Sequence, residues 1–220
     1  MIDRQLIDLS YPLTDNMMVY PGDSRPVFEW IGRVNSEGFN GTKFTMHLHT
    51  GTHIDAPYHQ LEDGAPIDQL PLSRFIGRAV LFRFREEPRS QEVPLKAVVA
   101  AELPIREGDI FVLDTGIARH AETKGYYAQF PVPSDELCEW LVGKKIGVLA
   151  SDTSTIDRIG EGVNKHRILL RAGIPLVENL CHLELLPEGK AFTMFLLPIH
   201  LPGREGALCR AAAFIDFVEL

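Results

Sequence analysis

What most constrains the fold of this chain is a recurrence of short apolar runs, each cut off by Gly, Pro or Asp before it reaches helical length. They fall at residues 79–82 (AVLF), 109–113 (DIFVL), 146–150 (IGVLA), 175–177 (PLV) and 195–199 (FLLPI). Short runs of this kind, rich in β-branched and aromatic residues and bounded by turn formers, read as buried strands. Helical signals are fewer. Ser134 stands ahead of Asp135 and Glu136, where a hydroxyl caps free N–H groups and two acids suit the positive end of a helix dipole. Leu137, Trp140 and Leu141 follow at spacings that put them on one face. A second helix is predicted over residues 165–171, ended near Gly173 and Pro175. The fold class is therefore α/β, mixed and strand-rich. With 220 residues and no repeat, linker or low-complexity tract, residues 1–220 are expected to form a single domain around a substantial core.

Charge and composition exclude several classes of partner. Lys and Arg number 22 against 30 Asp and Glu, a formal charge of −8. A nucleic-acid partner is disfavoured, since that affinity comes from neutralising phosphates. No run approaches the roughly 20 apolar residues of a membrane span. The segment Met1-Ile2-Asp3-Arg4-Gln5 has neither the basic nor the apolar region of a secretion signal, so a cytoplasmic location is expected. Cys138, Cys181 and Cys209 are odd in number and form no C-x-x-C pair, which reads as reduced thiols. Asn40-Gly41-Thr42 matches a glycosylation sequon but reads as a turn.

The chemistry is concentrated in one segment, His47-Leu48-His49-Thr50-Gly51-Thr52-His53-Ile54-Asp55-Ala56-Pro57-Tyr58-His59. Four of the eight histidines fall here, together with a carboxylate. Imidazole and carboxylate are ligands for zinc, manganese or iron(II), and the thiolates of a structural zinc site are missing. In a straight strand His49 and His53 would stand about 13 Å apart, at about 3.3 Å per residue. Two nitrogens on one ion are no more than about 4 Å apart. If both bind one ion, the chain must curl at Thr50-Gly51-Thr52, and Gly51 tolerates the backbone angles that requires. Pro57 disfavours helix at Ala56 and turns the chain, which lets His59 return toward the site. His47 is left without an assigned role.

The stretch His49-Thr50-Gly51-Thr52-His53-Ile54-Asp55-Ala56-Pro57-Tyr58-His59 fits H-x-G-T-H-x-D-x-P-x-H at every fixed position. In this the chain resembles the metal-dependent cyclase-like hydrolase family, which includes bacterial kynurenine formamidase and isatin hydrolase. The likeness extends to Asp8-Leu9-Ser10, Tyr20-Pro21-Gly22-Asp23, Leu113-Asp114-Thr115-Gly116, Asp152-Thr153 with Ile156-Asp157, His166-Arg167-Ile168-Leu169-Leu170 and Leu176-Val177-Glu178-Asn179-Leu180. It implies a barrel-like mixed sheet with flanking helices of the swivelling β/β/α type, assembled as a homodimer or homotetramer. It also implies that His49, His53 and Asp55 hold one metal ion, and that Asp55 bridges to a second ion held by His166 and Glu178. The ion would be zinc, one or two per chain, with a single manganese as the isatin hydrolase-like alternative.

His59 resembles the family's catalytic acid/base. The implied activity is hydrolysis of an amide, cyclic imide or related small carbonyl substrate. A metal-dependent lyase or cyclase, or a non-catalytic metal-binding protein, would use the same residues. Tyr20 stands where formamidases of the family carry a Trp that stacks on the aromatic kynurenine portion. A Tyr can still stack and adds a hydroxyl, which favours a differently shaped substrate over N-formylkynurenine.

Overall fold

The computed structural model describes residues 3–86, 91–123 and 125–217. Its strands are β1 (Asp3–Asp8), β2 (Val27–Gly32), β3 (Gly41–Thr45), β4 (His53–Asp55), β5 (Ile76–Arg83) and β6 (Glu92–Val93). They continue as β7 (Ile110–Asp114), β8 (Val132–Pro133), β9 (Val148–Ser151), β10 (Leu176–Glu178), β11 (Ala191–Pro198) and β12 (Gly206–Phe217). The helices are α1 (Val34–Glu37), α2 (Leu95–Ala100), α3 (Gly125–Ala128), α4 (Asp135–Gly143) and α5 (Asn164–Arg171). The five predicted apolar runs are β7, β9 and β10 and lie within or overlap β5 and β11. Both predicted helices are present as α4 and α5.

The main sheet runs β1-β12-β11-β5-β7-β9-β10-β4, and β4 pairs back onto β12. Seven strands thus close into a mixed barrel, with β1 added along β12. The pairs β5–β7, β7–β9 and β9–β10 are parallel, whereas β10–β4, β4–β12, β12–β11 and β11–β5 are antiparallel. Side chains alternate across this wall, as a two-residue period requires. Ala79, Leu81, Ile110, Val112, Val148, Ala150, Val177 and Ile54 form the inner core. Their neighbours Phe82, Phe111, Leu113, Leu149 and Leu176 point outward and pack with Leu137 and Leu141 of α4 and Leu169 and Leu170 of α5. Each such side chain, fully removed from water, contributes about 1.5–3 kcal/mol.

The helices form for identifiable reasons. Ser134 Oγ accepts from the Leu137 amide at 3.1 Å, a cap worth about 1 kcal/mol. In α5 the residue before the helix offers no side-chain cap. Asp157 does that work instead, accepting from the amides of Lys165 (3.0 Å) and His166 (3.1 Å). Strands β2 and β3 pair only with each other among the described residues, as a hairpin preceding the histidine segment. Its Phe28 and Phe44 rings stack at 6.0 Å, and Trp30, Ile31 and Phe44 are exposed. Among the described residues no helix is long and apolar enough to cross a membrane. All three cysteines are free and buried, and burial pushes each thiol up to about 12, which makes them unreactive.

Candidate metal centre

The site lies on the outer face of the barrel wall, where β4 and β10 meet α5. Their register sets Glu178 opposite His53 and Leu176 opposite Asp55. His53 and Asp55 are two residues apart and share a face, while Ile54 between them enters the core. That one alternation delivers an imidazole and two carboxylates to one spot. His166 arrives from α5, one turn before the buried Leu169 and Leu170 that dock the helix. His49 comes from the loop before β4. The chain curls there as the spacing requires: Gly51 has φ +71°, and a Cβ on it would stand 2.7 Å from Leu13 Cδ2. Gly206 of β12 is needed for a second reason, since a Cβ there would lie 2.6 Å from Ile54 O and 3.1 Å from His49 Cε1.

The distances define two overlapping clusters. Asp55 Oδ1 lies 2.7 Å from His49 Nδ1 and 3.3 Å from His53 Nε2, while Oδ2 lies 3.4 Å from His166 Nε2. Glu178 divides itself similarly, with Oε2 3.6 Å from His53 Nε2 and Oε1 3.4 Å from His166 Nε2. His53, Asp55 and Glu178 are close enough to share one ion, and so are His49, Asp55 and His59. His59 follows the turn at Pro57, and its ring centroid is 4.2 Å from that of His49 and 6.0 Å from that of His166. His53, Asp55, His166 and Glu178 are all buried.

The donor set fits a divalent cation. Nitrogen and oxygen donors converge with no thiolate among them, and His49 Nε2, His53 Nε2 and Glu178 Oε1 are buried without a protein hydrogen-bond partner. Buried polar atoms are rarely left so, because each costs free energy unless something binds it. The tautomers point the same way. His53 Nδ1 is 2.8 Å from Gly51 O and His166 Nδ1 is 2.6 Å from Asp157 Oδ2, which turns each Nε2 toward the cluster.

Charges in the cluster are tightly coupled. Burial works to raise the Asp55 carboxyl, yet hydrogen bonds from His166, His49 and His53 outweigh it and hold Asp55 well below the usual carboxylate range. Burial and the Asp55 charge push Glu178 up. Burial opposes protonation of His166, but Asp157, Asp55 and Glu178 overcome it and raise that imidazole. Burial pushes His59 down to about 4, helped by the neighbouring imidazoles. A cation entering here displaces protons from the raised histidines.

All the residues singled out from the sequence are present near this spot except that Tyr20 forms its margin. Tyr20 meets Tyr127 edge-on at 6.2 Å, and after burial the Glu178 charge is the next cause raising its phenol. His47 is exposed, with Nδ1 3.6 Å from Asp23 Oδ2. The sequence reading gave Asp157, Glu205 and Tyr127 no role, although Asp157 lies in a stretch that resembles the family. Glu205 Oε1 is 3.6 Å from His49 Nε2. A cavity of about 710 Å³, lined by Met17, Met18, Tyr126, Tyr127 and Asn179, lies behind the Gly51 loop rather than over the ligand atoms.

Comparison with known proteins shows what the whole chain is similar to. The chain is similar to kynurenine formamidase of Erythrobacter litoralis, 27% identical over 212 residues that span 94% of this chain and 93% of that one. It is 28% identical to kynurenine formamidase of Bacillus cereus over 209 residues, 93% of this chain and 95% of the relative. A solved structure described as a potential metal-dependent hydrolase with cyclase activity superposes with a TM-score of 0.81 at 27% identity, over 96% of this chain and 98% of the other. Isatin hydrolase A from Labrenzia aggregata superposes with a TM-score of 0.88 at 22% identity, over 97% and 94%, a likeness of fold. The Cyclase family model matches residues 7–158, and the chain belongs to that family.

Proposed function

We propose that this chain, acting as one unit over residues 1–220, is a metal-dependent hydrolase that cleaves a carbon–nitrogen bond in a small carbonyl substrate, an aryl-formamide-like amide or a cyclic imide. The observation that carries the reading is the division of both buried carboxylates, Asp55 and Glu178, between the His53 side and the His166 side. A bridging pair of this kind supports two ions, with His49, His53 and Asp55 holding one and Asp55, His166 and Glu178 the other. Zinc is the ion that suits imidazole and carboxylate donors in such a shell, with manganese second. When bound, a divalent ion supplies Lewis acidity, which polarises a carbonyl and brings the pKa of water toward neutrality.

The protein's own contribution is placement. Asp157 and Gly51 orient the imidazoles, and the barrel wall and α5 keep bulk water from one side of the cluster. His59 stands within reach of the His49 and His166 sides and burial keeps it neutral, the form that can accept a proton and return it to the leaving nitrogen. Tyr20 and Tyr127 form an aromatic wall at the margin against which a planar substrate rests. The proposal places the enzyme in the cytoplasm, where its three free thiols stay reduced.

The test uses formanilide and phthalimide with protein stripped of metal and reloaded with zinc. The expected result is zinc-dependent turnover in which the products together contain one added water, abolished by chelator. Tyr20→Ala should raise KM for formanilide about three- to tenfold, the size of one aromatic contact. Product without added water would replace this reading by a lyase or cyclase, and no turnover of any amide or imide would leave only a metal-binding protein.

The reading extends to a homodimer. An isolated two-stranded hairpin is marginal in water, yet β2 and β3 expose Trp30, Ile31 and Phe44. A second copy laid against that face would bury them. Light scattering should show a dimer that Trp30→Glu combined with Phe44→Glu converts to monomer; an unchanged mass would remove the hairpin from the interface.

A further inference from the structure

The ladder between β4 and β10 ends at the His53–Glu178 pair. The residue immediately after Glu178 makes the next tie between the two segments. Asn179 is buried and has φ +56°, in the left-handed region that among residues with side chains Asn tolerates best. That conformation reverses the chain, leaving Glu178 facing the cluster while Leu180 turns into the barrel core. Asn179 is tied at three atoms. Its amide donates to Thr153 O at 2.9 Å, its carbonyl accepts from Thr52 Oγ1 at 2.6 Å, and its Oδ1 accepts from the Tyr126 hydroxyl at 2.7 Å.

Thr52 precedes His53, and its hydroxyl also accepts from the Tyr11 amide at 3.0 Å. One hydroxyl therefore joins the residue before the first ligand of β4 to the residue after the last ligand of β10. Tyr126 is buried among Ile117, Phe130 and Val132, so its hydroxyl is delivered from a fixed ring. Its ring also meets Tyr127 edge-on at 5.0 Å, and Tyr127 meets Tyr20. The substrate-facing wall and the ligand strands are thus connected through Asn179.

We propose that Asn179, clamped by Thr52 and Tyr126, is a positioning residue that sets the spacing of His53 and Glu178 and thereby the affinity for metal. The inference rests on the metal-centre reading. Asn suits the place better than Gly, which would accept the backbone angles but offer the Tyr126 hydroxyl no acceptor. Thr suits position 52 because its hydroxyl donates and accepts at once.

The experiment strips the full chain with chelator and titrates Co²⁺ against a competing chelator, following visible absorption, with the thermal midpoint of the metal-free protein as a parallel readout. Thr52→Val and Tyr126→Phe should each weaken Co²⁺ binding about 10- to 100-fold, the range found when groups that orient ligands are removed. Thr52→Ser should stay within about twofold of wild type, since it keeps the hydroxyl. Tyr126→Phe retains the buried ring, so it carries the test if Thr52→Val does not fold. A lowered midpoint with wild-type Co²⁺ affinity would overturn the positioning role and make the clamp structural only. Wild-type protein that binds no Co²⁺ would instead overturn the metal centre itself.

Discussion

His53→Ala should lose bound metal and turnover together. His53 is, with His166, one of two imidazoles within 4 Å of both carboxylates: its Nε2 lies 3.3 Å from Asp55 Oδ1 and 3.6 Å from Glu178 Oε2. Alanine removes that nitrogen and leaves two buried carboxyl groups facing each other. Glu178 is already pushed up by burial and by Asp55, so in the variant it takes a proton and ceases to be a good ligand. Affinity should fall by more than about 100-fold, beyond the loss seen for groups that merely orient ligands. Without Lewis-acid stabilisation of several kcal/mol, turnover of formanilide should drop by about 10³-fold or more. Metal content after dialysis and initial rates measure the two losses, and a retained far-UV circular dichroism spectrum shows that the barrel survives. His182→Ala is the control, on an exposed histidine beyond β10. A His53→Ala protein that keeps both its metal and its rate would take His53 out of the centre.

How far the sequence foretold this arrangement depends on how local each signal is. The strands β5, β7, β9, β10 and β11 are legible because their buried side chains are large and β-branched or aromatic. The strand β12 was not read, although it is the longest in the barrel. Its Ala207, Ala211, Ala212 and Ala213 suggest helix by propensity, yet Ala207, Ala211 and Ala213 are fully buried in the barrel core with Cys209 and Ile215 of the same strand. Packing overrides propensity there. The hairpin β2–β3 was missed for the opposite reason, since its apolar residues are not buried within the chain and so show no alternation with a core.

The same distinction holds at the site. His49, His53, Asp55 and His59 lie within eleven residues and announce themselves. His166 and Glu178 come from different elements, and only the resemblance to a family pattern linked them. Asp157, Thr52 and Asn179 lie in stretches that share the family pattern, but what they do depends on hydrogen bonds across the fold that the sequence does not display, and Glu205 lies in none of those stretches. Asp157 alone carried a faint sign: an acid ahead of a helix that lacks a capping residue of its own.

The second large effect separates two roles that the geometry brings close together. His59 lies near enough to His49 and Asp55 to be a third ligand, and its ring spans toward His166. The orphaned donor atoms favour the proposed role in proton transfer. His49 Nε2, His53 Nε2 and Glu178 Oε1 are buried and unpartnered, whereas neither His59 nitrogen is. In the proposed function the ion is held by the other residues and His59 carries a proton. His59→Ala should therefore keep its full metal content while kcat falls about 10²- to 10⁴-fold, the usual contribution of a positioned acid/base. KM should change little, because the proposed substrate contacts are with Tyr20 and Tyr127. Added imidazole should restore part of the lost rate, since a small base can enter the space the side chain leaves. Loss of one metal equivalent in His59→Ala, with no rescue by imidazole, would make His59 a ligand and require another group to move the proton. Glu205, whose Oε1 is 3.6 Å from His49 Nε2, would then be a carboxylate able to take that part.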